Sequence, residues 1–182
     1  VHERYAVPSN RMALSLNPIT SAQAEATMAK PQAREKLGLA SDKPLVVYTG
    51  KLAIGMREIG FILEAAARLP EYHFLFTGGK PEVVAYYERY CDLRGISNVS
   101  FAGYLHRYVD VQCYQFAADV LVSYYTCDQH LVQYNLPNKI CEYMLTGNAI
   151  VTPDFPATRD ILHQGNAFFV EPENTDSLVQ GI

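Results

Sequence analysis

From Pro44 onward, short apolar runs alternate with stretches of helical spacing. Runs rich in β-branched and aromatic residues fall at Leu45 to Thr49, Tyr72 to Thr77, Val99 to Ala102, Val120 to Ser123, Ala149 to Thr152 and Ala167 to Val170. Between them, helices are predicted at about Arg57 to Leu69, Pro81 to Arg94, Arg107 to Ala117, Asn138 to Thr146, Ala157 to His163 and Thr175 to Ile182. In the first of these, Ile59, Ile62, Leu63, Ala66 and Leu69 recur at intervals of three and four, which builds one apolar face, and Pro70 ends it. Strands alternating with helices are the mark of parallel strands joined by crossover helices. The pattern predicts an α/β domain, a doubly wound and mainly parallel six-stranded sheet over 44–182. Ligands of such sheets bind at the carboxyl ends of the strands, where successive crossovers diverge to opposite faces.

Residues 1–43 break this pattern. Val7-Pro8-Ser9-Asn10 and Leu16-Asn17-Pro18 interrupt any period, and only Pro31 to Leu39 reads as helical, so this part is expected to be an approach segment. The chain opens without methionine and stops inside a predicted helix, which reads as a piece cut from something longer.

Composition removes several function classes. At 182 residues, 49% hydrophobic and 19% charged, the chain is long enough for one well-buried core. A formal charge of -4 and a pI near 5.7 give no field for wrapping a nucleic-acid backbone, so no nucleic-acid partner is expected. No apolar run approaches the roughly 20 residues of a membrane helix. Cysteines at 91, 113, 127 and 141 match neither a zinc knuckle nor a redox pair, and five scattered histidines form no ligand pair, so no metal site is expected. Reduced thiols and the absence of an export signal point to a cytoplasmic protein, with peripheral attachment to a membrane left open. Asn98-Val99-Ser100 matches a glycosylation acceptor but sits where a strand begins, and is read as chance.

Candidate chemistry gathers at the predicted strand ends. After the first strand, Gly50-Lys51-Leu52-Ala53-Ile54-Gly55-Met56-Arg57 sets two cations six residues apart on a flexible loop. Lys51 and Arg57 held against a diphosphate would stabilise the charge that grows on a departing nucleoside diphosphate, which makes them the catalytic candidates. The second strand ends in Thr77-Gly78-Gly79-Lys80, a turn that lets backbone approach a phosphate or ribose but is not a Walker loop. The third is followed by Gly103-Tyr104-Leu105-His106, an aromatic ring and backbone polar groups suited to a flat base. The loop from Tyr124 to Asn135 is rich in Tyr, Asp, His and Gln and suits a lid or a sugar-binding wall, with no nucleophile placed to make Asp128 and His130 a catalytic dyad. Finally, Leu136 to Thr152 strings a loop, a short helix and a core strand together, with Glu142 about one turn inside the helix. No capping box explains this carboxylate, and it has no local partner. It is placed to receive sugar hydroxyls while helix-terminal amides receive phosphate.

In order, Tyr48-Thr49-Gly50-Lys51-Leu52, then Arg57, then Asn98-Val99-Ser100-Phe101-Ala102-Gly103-Tyr104, and then Pro137-Asn138-Lys139-Ile140-Cys141-Glu142-Tyr143-Met144 followed by Gly147 resemble the C-terminal half of a GT-B-fold glycosyltransferase, nearest to glycosyltransferase family 4 (group 1). The resemblance covers about Pro8 to Ile182. It implies a Rossmann-like domain that forms one half of a GT-B fold, approached by residues 1–43 from a missing N-terminal domain that carries the acceptor site. By position, Lys51 and Arg57 would hold the diphosphate, and Gly50, Gly78, Tyr104, Leu105 and Glu142 would bind the nucleotide, with Glu142 on the ribose. Many members carry a second glutamate eight positions earlier, where this chain has Tyr134. Tyr134, Asn135, Pro137, Asn138 and Lys139 are therefore expected to form the donor-sugar or phosphate loop through other groups. The implied reaction moves a sugar from a UDP-, GDP- or ADP-sugar to a glycan, lipid or small-molecule acceptor, retaining configuration and using no bound cofactor. The alternatives are a non-hydrolysing nucleotide-sugar 2-epimerase half, and a non-catalytic sugar-nucleotide or protein-binding domain.

Overall fold

The computed structural model describes residues 19–20, 27–39, 43–127 and 136–182. In chain order its elements are α1 (Lys30–Lys36), β1 (Leu45–Thr49), α2 (Arg57–Arg68), β2 (His73–Thr77), α3 (Pro81–Arg94), β3 (Val99–Gly103), α4 (Tyr108–Ala117), β4 (Val120–Val122), α5 (Asn138–Met144), β5 (Ala149–Pro153), α6 (Pro156–Arg159), β6 (Phe168–Val170) and α7 (Thr175–Gly181). The strands form one sheet in the order β3-β2-β1-β4-β5-β6, and every pairing is parallel. The chain leaves β1 toward β2 on one side, and later returns to β1's other side with β4. The point between β1 and β4 is thus the switch where neighbouring crossovers part.

Strand alternation feeds two separate cores. Val46 and Tyr48 of β1 point to one face and join Ile59, Ile62, Leu63 and Ala66 of α2, Phe74 and Phe76 of β2, and Leu178 of α7. Leu45 and Val47 point to the other and join Phe116 of α4, Leu121 of β4, Ile140 and Tyr143 of α5, and Ile150 of β5. Both faces of the sheet are covered, which is why β1 is buried along its whole length and reads as an unbroken apolar run.

The six strands fall where the apolar runs place them, with ends shifted by a residue or so. The largest difference is α6, expected over Ala157 to His163 and observed as a single turn. The Thr158 hydroxyl donates to the carbonyl of Phe155 at 2.8 Å, and Asn166 then folds back to accept the His163 N–H at 2.7 Å, a bond that a longer helix would give to the Arg159 carbonyl. Asn98 also acquires a structural role. Its buried amide donates to the carbonyls of Ala66, Leu69 and Tyr72 at 2.9 to 3.0 Å, closing the end of α2 onto the start of β3. A glycan would replace one of that nitrogen's two hydrogens and has no room at a buried amide, which removes the acceptor motif from consideration in the folded domain.

The helix that precedes β1 is fastened to the sheet. Asp119, between α4 and β4, accepts from Lys30 at 2.9 Å and from Arg34, both on α1, and from the Leu45 N–H at 2.8 Å. Burial pushes its carboxyl up, but the Leu45 amide and the two cations outweigh that and hold it below the usual carboxylate value. Its folded value is depressed, so its contribution to stability is present at neutral pH and is lost as pH falls through the folded value. Urea denaturation of the Asp119→Asn variant should therefore show lower stability than wild type at pH 7, with the difference shrinking toward pH 3. A constant difference would assign Asp119 a packing role only.

Candidate functional site

Adjacent strand ends build the site. Thr49 and Thr77 lie in register, so Gly50 and Gly78 open their loops side by side. The Gly50 N–H donates to the Thr77 carbonyl at 3.3 Å and the Gly78 N–H to Gly103 at 2.7 Å, carrying the ladder beyond the strands. The two loops touch. A Cβ on Gly78, whose φ is 110°, would stand 1.9 Å from the Gly50 carbonyl oxygen, so only glycine fits there. Beyond Gly50, the loop is pinned by the Tyr87 hydroxyl, which donates to the Ala53 carbonyl at 2.7 Å.

These loops, with those after β3 and β4, enclose an open cavity of about 860 Å³ at the switch point. Gly50, Lys51, Gly78, Tyr104, Leu105, Pro137, Asn138, Lys139 and Glu142 all line it. The first strand's loop and the α5 carboxylate therefore face one space from opposite sides of the switch. Arg57 does not line it. It stands at the start of α2 in an adjoining cavity that shares Lys51, Tyr125 and Lys139 with the first, and its guanidinium pairs with Glu173 at 3.0 Å. Glu173 holds a positive φ of 58°, a strained conformation for a non-glycine residue. Tyr134 and Asn135 lie outside the described residues, as do Asp128 and His130.

The partner of Glu142 is remote in sequence. Gln115 of α4 donates from Nε2 to Glu142 at 2.9 Å and to the Thr49 hydroxyl at 3.1 Å. The Tyr143 hydroxyl accepts from the Thr49 N–H at 3.0 Å, and burial keeps that phenol's pKa raised and the group neutral. Glu142 is thus aimed by a buried polar network that joins α4, β1 and α5. No sequence signal marked Gln115, because its spacing within α4 is that of a core-facing position.

Lys139 is placed differently from the other cavity cations, Lys51 and Lys80. Its ammonium sits 4.0 Å from the centre of the Tyr48 ring and 5.2 Å from that of Tyr125. Burial pushes it down to about 7, against the pull of Glu58 and Glu142, which favour the charged form. Tyr108 and Val111 were not singled out in the sequence as parts of the site, since their residue types equally suit a core, whereas Tyr125 belongs to the loop expected to form a lid or sugar-binding wall.

What this arrangement offers is an apolar wall at Tyr104, Leu105, Tyr108 and Val111, lysines beside the two glycine turns, and one oriented carboxylate. That suits a ligand with a flat ring, an anionic centre and hydroxyls.

A family profile described as "Glycosyl transferases group 1" matches residues 43–182, more than half of the chain. The chain belongs to the group 1 glycosyltransferases. None of the curated proteins matches it. Among solved structures, it is similar to WaaG, a glycosyltransferase involved in lipopolysaccharide biosynthesis, with a TM-score of 0.73 and 19% identity over 99% of this chain and 48% of that one. A glycosyltransferase from Rickettsia africae ESF-5 gives a TM-score of 0.71 at 14% identity, over 98% and 48% of the two chains. Anabaena Alr3699/HepE, solved in complex with UDP-glucose, gives 0.66 at 18% identity, over 89% and 42%. The chain thus spans less than half the length of these proteins, and as a group 1 glycosyltransferase domain it has the fold of one half of GT-B. Among the described residues, no helix is long and apolar enough to cross a membrane.

Proposed function

We propose that this chain is the donor-binding half of a glycosyltransferase that moves a sugar from a nucleotide diphosphate sugar to an acceptor, with retention of configuration. The observation that carries this reading is the single cavity into which Lys51 and Glu142 project from loops on either side of the switch point. In it, Tyr104 and Leu105 flank the base, Glu142 receives the ribose hydroxyls, and Lys51 holds the diphosphate against the turns that open at Gly50 and Gly78, where the missing side chains leave it room. Transfer requires the bond between the anomeric carbon and the β-phosphate oxygen to break, and Lys51 stabilises the charge left on that oxygen. Arg57 adds to the field from the adjoining cavity once it exchanges Glu173 for phosphate. The donor sugar lies toward Pro137 and Asn138.

We further propose that residues 1–43 come from a second domain that carries the acceptor site, and that the reaction runs in the cytoplasm, the compartment that suits four free thiols. UDP-glucose in complex with HepE makes UDP-sugars the first donors to try. The test is incubation of the two-domain enzyme with UDP-, GDP- and ADP-sugars, with and without acceptor, followed by proton NMR of the sugar. Retention at the anomeric carbon, dependent on acceptor, is expected. Interconversion of two donor sugars without acceptor would instead assign the epimerase reaction.

A further inference from the structure

The site holds one cation in an unusual state. Lys51 and Lys80 are exposed to solvent, whereas the ammonium of Lys139 is packed against the protein between the faces of Tyr48 and Tyr125. It also fills the space that Gly50 leaves: a Cβ on Gly50 would stand 2.8 Å from Nζ. The same side chain lines both cavities. A phosphate drawn to the Gly50–Lys51 turn would therefore meet Nζ at the wall between them.

The titratable and charged groups around Lys139 come from every element packed on it. Tyr48 faces it from β1, Lys51 from the loop that follows, Glu58 from α2, Tyr125 from the loop after β4, and Glu142 from α5. Both tyrosines are neutral, with their phenols pushed upward chiefly by burial. Aromatic faces attract an ammonium, but loss of water costs it more, so the charged and neutral forms are nearly balanced at neutral pH. A dianionic diphosphate arriving beside it would tip that balance to the charged form.

On the reading of this cavity as a nucleotide-sugar site, we propose that Lys139 is a further ligand of the donor diphosphate, one that takes up a proton from solvent as the donor binds. The proton lands on Nζ, and the resulting ammonium donates to the phosphate oxygens beside Lys51. Retention of the same lysine purely as a counter-charge for the buried carboxylate of Glu58 predicts no such uptake.

A nucleotide diphosphate sugar has both phosphates esterified and carries no phosphate group that titrates near neutrality, so protons taken up on binding go to the protein. Calorimetric titration with UDP-glucose and its GDP and ADP counterparts, at pH 8 in Tris and in HEPES, reads that number from the difference in heat between buffers. Wild type is expected to take up close to one proton at pH 8 and clearly fewer at pH 6, given an amine near 7 in the free protein. Lys139→Met, an apolar chain of similar length, should bind about 10- to 100-fold more weakly and without buffer dependence. Lys139→Arg, a cation that does not titrate, should bind with no proton uptake, and it guards against misfolding of the first variant. Binding by wild type without buffer dependence, or unchanged proton uptake in either variant, overturns the proposal while leaving the donor site intact. Failure of wild type to bind any of the three donors overturns the donor site as well.

Discussion

Alanine at position 78 is expected to lower the stability of the domain by about 3 kcal/mol or more, the largest loss from a single methyl group in this fold. Two costs add. A φ of 110° lies outside what an alanine adopts, and the new Cβ would stand 1.9 Å from the Gly50 carbonyl oxygen, which is backbone and cannot swing aside. The ends of β1 and β2 must part, and the turn that carries Lys51 moves with them. Gly147 supplies the control, because its φ is 67° but nothing lies within 4 Å of its missing Cβ. Gly147→Ala should cost only about 1 kcal/mol, from backbone strain alone. Urea denaturation of both variants, followed by donor titration of Gly78→Ala, checks this. Equal losses at the two positions would show that the approach of the loops is not constrained.

The largest catalytic effect is expected at Lys51. In the two-domain enzyme, Lys51→Ala should lower kcat by about 100-fold or more, since charge on the leaving diphosphate is greatest in the transition state. KM should change much less. Arg57→Ala should cost only about 10-fold, because the guanidinium stands in the neighbouring cavity and begins its work paired with Glu173. Initial rates over a range of donor concentrations separate the two parameters. A Lys51→Ala enzyme with kcat within about twofold of wild type would remove that residue from the transition state.

These effects were unequally visible in the sequence. The sheet was legible because its strands are buried on both faces, so that Leu45 to Thr49 or Ala149 to Thr152 stand out as apolar runs between helices of regular spacing. The position of Lys51 and Glu142 in one cavity follows from the same rule, since strand ends at a switch point converge whatever the residues are. Side-chain partnerships were not legible. Glu142 has no partner within its own helix, and the one that aims it, Gln115, is 27 residues away on another element. Lys139 was expected only as one member of a donor-sugar or phosphate loop, and the packing of its ammonium against aromatic rings emerges only when the fold brings Tyr48, Gly50 and Tyr125 around it. Arg57 is placed less directly: it shares the adjoining cavity with Lys51 but does not line the one that holds Glu142, a difference that spacing along the chain does not show. The single turn of α6 was hidden for a local reason, because apolar spacing through Leu162 does not reveal that Thr158 and Asn166 bond their own backbone.

The central claim is that one nucleotide sugar occupies the cavity between the loops after β1 and the start of α5. Amide NMR of the isotope-labelled chain during addition of UDP-, GDP- or ADP-sugar tests it most directly. The account predicts that at least one donor shifts the resonances of Gly50, Lys51, Gly78, Tyr104, Lys139 and Glu142 together, with a common saturation curve. Shifts at Gly50 and Lys51 with none at Glu142, or changes confined to the cleft beside β6 at Phe168 and Glu171, would contradict it.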